Sequence, residues 1–252
     1  MKGRSREGRM PLAEHLRELR RRIGRSALAI LLLTSVGWVY YDRIIDFLAA
    51  PICDLRHAKT SCGTLYINGV LGPLNLQLKV ALTVGVVLAA PIWLYQLWAY
   101  LAPGLHRREK RWAVIFTATA TPLFAAGSYL SYLILPQAIK ILLGFTPGAL
   151  NNLIKFDDYL DFVLRMILVF GLSFELPLIL IALSLANLLT VKRMLAWWRG
   201  AVFSIFLFTA IFTPTGDPLT MTLLAAPLIV LYFVAIFVSW IIERRRRKRV
   251  EP

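Results

Sequence analysis

The sequence predicts an all-α fold: a polytopic membrane protein with six transmembrane helices in one domain and both termini in the cytoplasm. Three observations support this prediction, namely the composition, the length of the apolar segments and the position of the basic residues. The chain has 252 residues, of which 58% are hydrophobic, and its mean hydropathy is +0.64. These values exceed those of ordinary soluble domains, so membrane spans are the first structures to seek.

Six apolar segments can each form a membrane-spanning helix. They are too long and too uniformly apolar for barrel strands, whose residues alternate in polarity. The segments are 26–41, 74–101, 112–135, 159–185, 200–212 and 219–242. The fifth is short, because a helix over 200–213 would rise only about 21 Å against a hydrocarbon core of about 30 Å. It therefore requires local bilayer thinning or lateral association.

Basic residues concentrate in alternate connections between these segments. They cluster in residues 2–25, 107–111, 192–199 and 244–249. The other connections contain only Arg43, Arg56, Lys59, Lys140 and Lys155. Because basic residues are retained on the cytoplasmic side, the pattern predicts a cytoplasmic N-terminus (1–25), a membrane bundle (26–242) and a basic cytoplasmic tail (243–252). A net charge of +15 distributed in this way indicates contact with anionic lipids and argues against nucleic acid as a partner.

The segment before the first span has the periodicity of an amphipathic helix. Its apolar stripe consists of Leu12, Leu16, Leu19 and Ile23. We expect this helix to lie at the inner membrane interface. Glu18 stands among the arginines of its polar face, and two interpretations remain open. Glu18 binds a cationic ligand, or the basic face only contacts lipid and Glu18 forms i,i+3 or i,i+4 pairs with its neighbours.

The first outer connection, about 42–73, is predicted to be a loop. It contains Pro51 and the two cysteines of the chain, Cys53 and Cys62. Outside the cytoplasm a disulfide is chemically permitted, and we predict that these cysteines are bridged. A metal site is poorly supported, because His57 is the imidazole nearest to them.

The second and third spans contain prolines that predict bends. The second span is too long to cross the bilayer upright, so we expect it to tilt or to kink at Pro91. Trp98 and Tyr100 near its end are typical of the inner aromatic belt. Glu109 follows in a basic cluster. Two interpretations remain open: Glu109 binds a ligand, or it belongs to a stretch of solvated charged residues. The third span is expected to end near Pro136.

The fourth span contains a carboxylate, Glu175, near its middle. A charged group there costs a few kcal/mol or more, so it normally faces a protein interior or a wet cavity. Pro177 lacks an N–H, so the carbonyl of Ser173 loses its usual partner and the helix can kink. Glu175 is a functional group or a hydrogen-bonded residue that holds helices together. Near the outer end of this span we expect Asp161 to pair with Arg165 at i,i+4.

No motif in the sequence predicts an enzyme. The chain has no HExxH metal motif, nucleophile elbow or phosphate-binding loop, and we predict neither a cofactor nor catalytic residues. The main alternative from the residues alone is a proton-coupled small-molecule transporter that uses Glu175 as its proton carrier. That alternative requires several facing polar groups within the spans, and few are present.

Three segments carry the most specific motifs of the chain: HLRELRRRI at 15–23, YQLWAYLAPGLHRREKR at 95–111 and FGLSFELP at 170–177. Together they resemble the TatC family, the multi-span receptor subunit of the twin-arginine protein translocase. The six-span layout agrees, and the resemblance covers about residues 11–242. It implies a concave bundle in the plasma membrane of a prokaryote. The implied partners are twin-arginine signal peptides of folded cargo proteins and single-span TatA/TatB-type subunits, in a homo-oligomer within a larger complex.

The resemblance also assigns site residues. It implies that Glu18 and Glu109 form the twin-arginine site, and that Glu175 contacts single-span partners. The remaining residues of the signal-peptide site are Leu16, Arg20, Arg22 and Tyr100. Those of the intramembrane partner site are Gln96, Thr213 and Met221. Structural roles fall to Pro51, Pro103, Pro177 and Asp217.

Two positions depart from the family pattern. Tyr100 stands where the family often has Phe. The turn from Thr213 to Asp217 is one residue longer than the usual Thr-Pro-Pro-Asp, and the position that is often Gln is Met221. Met221 therefore cannot make the amide contacts that a Gln would make.

Overall fold

The structure is a computed structural model that describes residues 12–54, 65–101, 109–144, 154–212 and 218–250. Apart from two short strands, its regular elements are helices, as predicted. The helices are α1 (Leu12–Val39), α2 (Tyr41–Asp54), α3 (Gly72–Leu88), α4 (Ala90–Leu101), α5 (Glu109–Gly144), α6 (Phe156–Ser173), α7 (Leu176–Leu185), α8 (Val191–Ala196), α9 (Trp198–Phe212) and α10 (Pro218–Val250). The strands are β1 (Leu65–Tyr66) and β2 (Ile154–Lys155).

The apolar helices coincide with the predicted spans. Four stretches of the described chain are long and apolar enough to cross a membrane: Leu16–Val39, Arg111–Ile141, Phe156–Leu185 and Met221–Arg245. Helices α3 and α4 make a fifth if the bent pair counts as one span. The sixth candidate, α9, has only 15 residues. The count of six therefore stays a prediction that depends on α9, the segment already expected to be short.

Prolines break two of the predicted spans where the sequence places them. The α3 and α4 axes meet at 56°, and Pro91 occupies the first turn of α4, where a missing N–H is tolerated. Similarly, α6 ends at Ser173 and α7 begins at Leu176, just before Pro177. Pro136 behaves differently, and the prediction that the third span ends there is wrong. Helix α5 continues to Gly144 because buried Ala138 and Ile139 pack into the core beyond the proline.

The N-terminal amphipathic segment and the first span form one continuous helix, α1, instead of two separate elements. Residues 23–26 contain no proline, and Gly24 alone does not interrupt the backbone. Helix α1 packs closely against α3. A Cβ on Gly37 would lie 2.8 Å from the Cα of Ala81, so a larger residue there would push the two helices apart.

The first outer connection is not simply a loop, because it contains α2. Ile44, Ile45 and Leu48 place an apolar stripe of α2 against the core. Pro51 is buried within this helix. Strand β1 then pairs in parallel with β2, which joins the two outer connections. The helix and the strands were missed because both elements are stabilised by distant parts of the chain.

An ion-pair cluster ties α3 to the start of α6. The Lys79 Nζ lies 2.8 Å from Asp161 Oδ1 and 3.5 Å from Asp157 Oδ1. The predicted pair between Asp161 and Arg165 is therefore wrong. Asp161 accepts from Lys79 on α3 instead, at 2.8 Å to Oδ1 and 3.0 Å to Oδ2.

Candidate functional site

Glu18 lies on α1 in a groove that arginines surround. The groove has a volume of about 330 Å³ and is lined by Arg17, Glu18, Arg21, Arg22 and Arg25. The Glu18 side chain is 34% exposed. A ligand in solution can therefore reach this carboxylate, although the rest of the groove is positively charged.

The Glu18 carboxylate already holds a guanidinium. The Arg22 Nε donates to Glu18 Oε1 at 2.9 Å, and Arg22 Nη2 donates to the same oxygen. Arg22 Nη1 lies 3.4 Å from Gln96 Oε1 on α4, at the limit of a hydrogen bond. This i,i+4 pair is the contact that the lipid-binding interpretation of Glu18 predicted. It also demonstrates that the carboxylate can accept two donors from one arginine.

The other residues predicted for the signal-peptide site are only partly placed. Leu16 is 63% exposed, Arg20 is exposed, and Tyr100 is half-buried near the end of α4. Glu109 begins α5, but its side chain lies outside the described part of the structure, as does Pro103. Whether Glu18 and Glu109 come together therefore remains a prediction.

Gln96 lies beside Arg22, and its role at the intramembrane partner site stays a prediction. Helices α1 and α4 pack against each other, and this contact brings Gln96 to the guanidinium. The structure therefore groups Gln96 with Glu18 and Arg22 on the basic side of the molecule.

Glu175 occupies the turn between α6 and α7. The Glu175 N–H donates to the Leu172 carbonyl at 3.0 Å, and the Ile179 N–H donates to the Glu175 carbonyl at 3.0 Å. Both backbone groups of Glu175 therefore keep a hydrogen bond although the chain turns here. The Glu175 residue is only 4% exposed. Neither carboxylate oxygen has a hydrogen-bond partner among the described residues. A buried polar group in this state is costly unless a partner is supplied.

Trp98 is the polar neighbour of Glu175. Its indole N–H faces the carboxylate, but the two groups do not meet the geometry of a hydrogen bond. The ring is 2% exposed and stacks on Phe116 at 4.6 Å between centroids. The prediction that Trp98 belongs to the inner aromatic belt is therefore wrong. Its spacing from buried Ala90 and Leu94, four residues apart each time, was the signal that could have revealed its buried face.

Helix α4 contributes to both carboxylate sites. Gln96 contacts Arg22 beside Glu18, and Trp98 faces Glu175. Two residues two positions apart on an α-helix point in nearly opposite directions. Helix α4 therefore separates the exposed carboxylate from the buried one and touches both.

The remaining predicted residues are distributed as follows. Met221 is half-buried in the first turn of α10, and Pro177 is buried in α7. Cys53 lies in α2, and its side chain is outside the described residues. Thr213, Asp217 and Cys62 also lie outside them. Within the part of the chain that the structure describes, no group of three metal-binding side chains occurs.

Comparison with known proteins identifies the family. Residues 14–227 match the model of the Sec-independent protein translocase protein TatC. The Frankia casuarinae Sec-independent protein translocase protein TatC is 40% identical, covering 96% of this chain and 69% of the relative. The Xylanimonas cellulosilytica TatC is also 40% identical, covering 98% of this chain and 90% of the relative.

A solved structure agrees with this assignment. The crystal structure of the twin-arginine translocase receptor TatC in DDM superimposes with a TM-score of 0.78 at 32% identity, covering 89% of this chain and 99% of that structure. None of these matches is a small-molecule transporter, so the alternative of a proton-coupled transporter is not supported. The chain is a membrane protein that belongs to the TatC family of Sec-independent protein translocases.

Proposed function

We propose that this chain is the receptor subunit of a twin-arginine translocation system in the plasma membrane of a prokaryote. In this proposal it binds the twin-arginine signal peptides of folded cargo proteins at its cytoplasmic face. It also assembles single-span TatA/TatB-type subunits for export and acts without catalytic residues or a cofactor. The observation that carries the proposal is the guanidinium of Arg22 bound to Glu18 in an accessible groove.

The chemistry of Glu18 suits an arginine ligand. Arginine is planar and permanently charged, and a carboxylate can accept two of its N–H groups. Among the described residues, only Oε1 of Glu18 is engaged, so Oε2 can receive a donor from the peptide. Alternatively, the peptide arginine replaces Arg22, which then stays near Gln96. Glu109 is proposed to bind the second arginine of the pair.

The surrounding arginines contribute selectivity. A ligand that offers only positive charge is repelled by Arg17, Arg21 and Arg25. Only a side chain whose N–H donors reach the carboxylate in the right geometry offsets this repulsion. A guanidinium has a planar set of donors that fits a carboxylate, whereas the ammonium of a lysine does not. Selection of paired arginines over paired lysines follows.

The test is photo-crosslinking of a signal peptide to the purified full chain. We expect a peptide with paired arginines to crosslink at α1 and the same peptide with paired lysines to crosslink at least tenfold less. Glu18→Gln keeps the size of the side chain but removes its charge, and it should reduce crosslinking of the paired-arginine peptide. Equal crosslinking of both peptides to the unmodified chain would contradict the proposed receptor role.

The intramembrane part of the proposal concerns Glu175. Its buried carboxylate has no hydrogen-bond partner among the described residues, and it lies at the break between α6 and α7, just before Pro177. A polar side chain on a single-span partner helix can supply the missing bond. Interhelical bonds of this kind are worth roughly 0.6–2 kcal/mol.

A further inference from the structure

A second cavity lies between α7, α8 and α10, away from both carboxylate sites. Its volume is about 440 Å³, and its lining residues are Leu180, Leu189, Arg193, Met194, Trp197 and Tyr232. The lining is apolar except for the guanidinium of Arg193, the phenol of Tyr232 and the indole N–H of Trp197. Cavities of this size and composition are typical of sites for small apolar or amphipathic ligands.

The walls of this cavity are fixed by bonds at both ends of α8. The Val191 N–H donates to Glu243 Oε1 at 2.9 Å. The Tyr232 hydroxyl donates to the Met194 carbonyl at 2.7 Å. Val191 and Met194 are also buried against α10. The cavity is therefore preformed, and α8 does not need to move to create it.

Arg193 is the charged residue among the described residues that line the cavity. Arg193 is exposed, and its backbone carbonyl accepts from the Trp197 N–H, but its guanidinium has no hydrogen bond or ion pair with the described residues. The nearby acid, Glu243, caps the first N–H of α8, and the phenol of Tyr232 already donates its proton. The free recognition group is therefore a guanidinium, which binds phosphate or carboxylate.

The position of the cavity indicates a ligand from the membrane interface. Trp197 is 75% exposed and Trp198 is 41% exposed, and exposed tryptophans beside basic residues are typical of the headgroup region. An α-helix with its side chains is about 10–12 Å across, too wide to enter a compact cavity of about 440 Å³. A single acyl chain is narrow enough.

We propose that this cavity binds an anionic phospholipid of the cytoplasmic leaflet. One acyl chain lies against Leu180, Leu189 and Met194, and Arg193 contacts the phosphate. Basic pockets between transmembrane helices on the cytoplasmic side bind acidic headgroups in this way. This site is independent of signal-peptide binding at Glu18 and of partner binding at Glu175.

The test is native mass spectrometry of the full chain in detergent, titrated with phosphatidylglycerol or with phosphatidylcholine of the same acyl chains. We expect the chain to retain phosphatidylglycerol preferentially. Arg193→Gln should weaken phosphatidylglycerol binding about fivefold, since one basic residue near the surface contributes a factor of that order. It should weaken phosphatidylcholine binding less, because the choline ammonium offsets the charge of that lipid's phosphate. Lys192→Gln is the matched control, because Lys192 is exposed, carries the same charge and does not line the cavity.

Two further arms test the apolar wall of the cavity and the source of the phosphate. Leu180→Phe should fill the cavity and reduce binding of both lipids at an unchanged melting temperature. If that variant melts early, Leu189→Phe serves the same purpose. Inorganic phosphate should not displace the lipid. Equal effects of Lys192→Gln and Arg193→Gln on lipid binding would overturn the proposal. It would also be overturned if a cavity-filling variant abolished association with a second copy of the chain and left lipid binding unchanged.

Discussion

The two carboxylates, Glu18 and Glu175, occupy opposite environments although one helix, α4, touches both sites. The Glu18 side chain is 34% exposed and is bound by Arg22. Glu175 is 4% exposed, and its oxygens have no hydrogen-bond partner in the described chain. An exposed, paired carboxylate can exchange one guanidinium for another at little cost. A buried, unpaired carboxylate gains only when a new group enters the membrane interior and bonds to it.

The difference also separates the kinds of ligand that each site can take. In the proposed function, a water-soluble peptide reaches the groove around Glu18 from the cytoplasm. Glu175 is buried at the break within a predicted span, so the ligand that we propose for it is a membrane helix. We therefore expect variants at the two carboxylates to affect different partners, and the following variants test this from the largest expected effect to the smallest.

The largest effect is expected at the signal-peptide site. Glu18→Ala should weaken binding of a paired-arginine peptide about ten- to a hundredfold, because hydrogen bonds to charged groups are worth about 1.5–3 kcal/mol. Glu109→Ala should have a similar effect. If both carboxylates bind one ligand, the double variant should lose less than the sum of the two. Fluorescence anisotropy with a labelled peptide measures all three, and normal affinity in the double variant would contradict the shared site.

A smaller effect is expected at Glu175. Glu175→Ala should reduce co-purification of single-span partners about threefold to thirtyfold, from an interhelical bond of roughly 0.6–2 kcal/mol. Glu175→Gln should retain much of the association and of the export of a folded reporter, because an amide still donates and accepts hydrogen bonds. A proton carrier would give another ranking, in which Gln is as inactive as Ala.

The stability of the isolated chain distinguishes a partner contact from a residue that holds helices together. Because the Glu175 carboxylate has no bond to lose within the described residues, Glu175→Gln should change the free energy of unfolding by less than about 1 kcal/mol. Thermal unfolding of the purified chain measures this. A large drop in melting temperature would indicate that Glu175 stabilises the chain itself.

The indole beside Glu175 offers a finer variant. Trp98→Phe keeps an aromatic ring for stacking on Phe116 but removes the N–H that faces the carboxylate. Partner association should fall by about threefold or less, and peptide binding at Glu18 should be unchanged. Phe116→Leu is a control, since it removes the stack and leaves the indole N–H. If that control reduced partner association more than Trp98→Phe, ring packing and not the N–H would be the relevant property.

The cysteine prediction concerns the connection that is predicted to lie outside the cytoplasm, away from both carboxylates in the sequence. Cys53 and Cys62 should be linked in the mature protein, and a short bridge should stabilise the chain by roughly 2–3 kcal/mol. Mass spectrometry of non-reduced digests detects the linked peptides. Quantitative alkylation of both thiols without reductant would contradict the bridge.

The sequence predicted the apolar helices and the breaks near Pro91 and Pro177, because hydropathy and a missing N–H act locally. It could not predict that Pro136 leaves α5 intact, since the helix beyond it is held by core packing of Ala138 and Ile139. Helix α2 and the pairing of Lys79 with Asp161 were missed for the same reason, because both depend on residues distant in the chain.

Within the site, the sequence identified the carboxylates but not their surroundings. Glu18 and Glu175 were identified because they stand at matching positions of the family motifs, without any knowledge of their neighbours in space. That Gln96 reaches Arg22 and that Trp98 faces Glu175 depends on how α4 packs between α1 and α5. Two side chains two positions apart must lie on nearly opposite faces of α4, but only the packing shows which face meets which carboxylate.

The most direct test of the difference between the carboxylates measures both partners in both variants. Glu18→Gln and Glu175→Ala are each assayed for signal-peptide binding and for co-purification of single-span subunits. We expect that Glu18→Gln loses peptide binding and keeps the subunits, whereas Glu175→Ala keeps peptide binding and loses the subunits. If either variant lost both partners while remaining folded, the two carboxylates would belong to one site, and the separation proposed for them would be wrong.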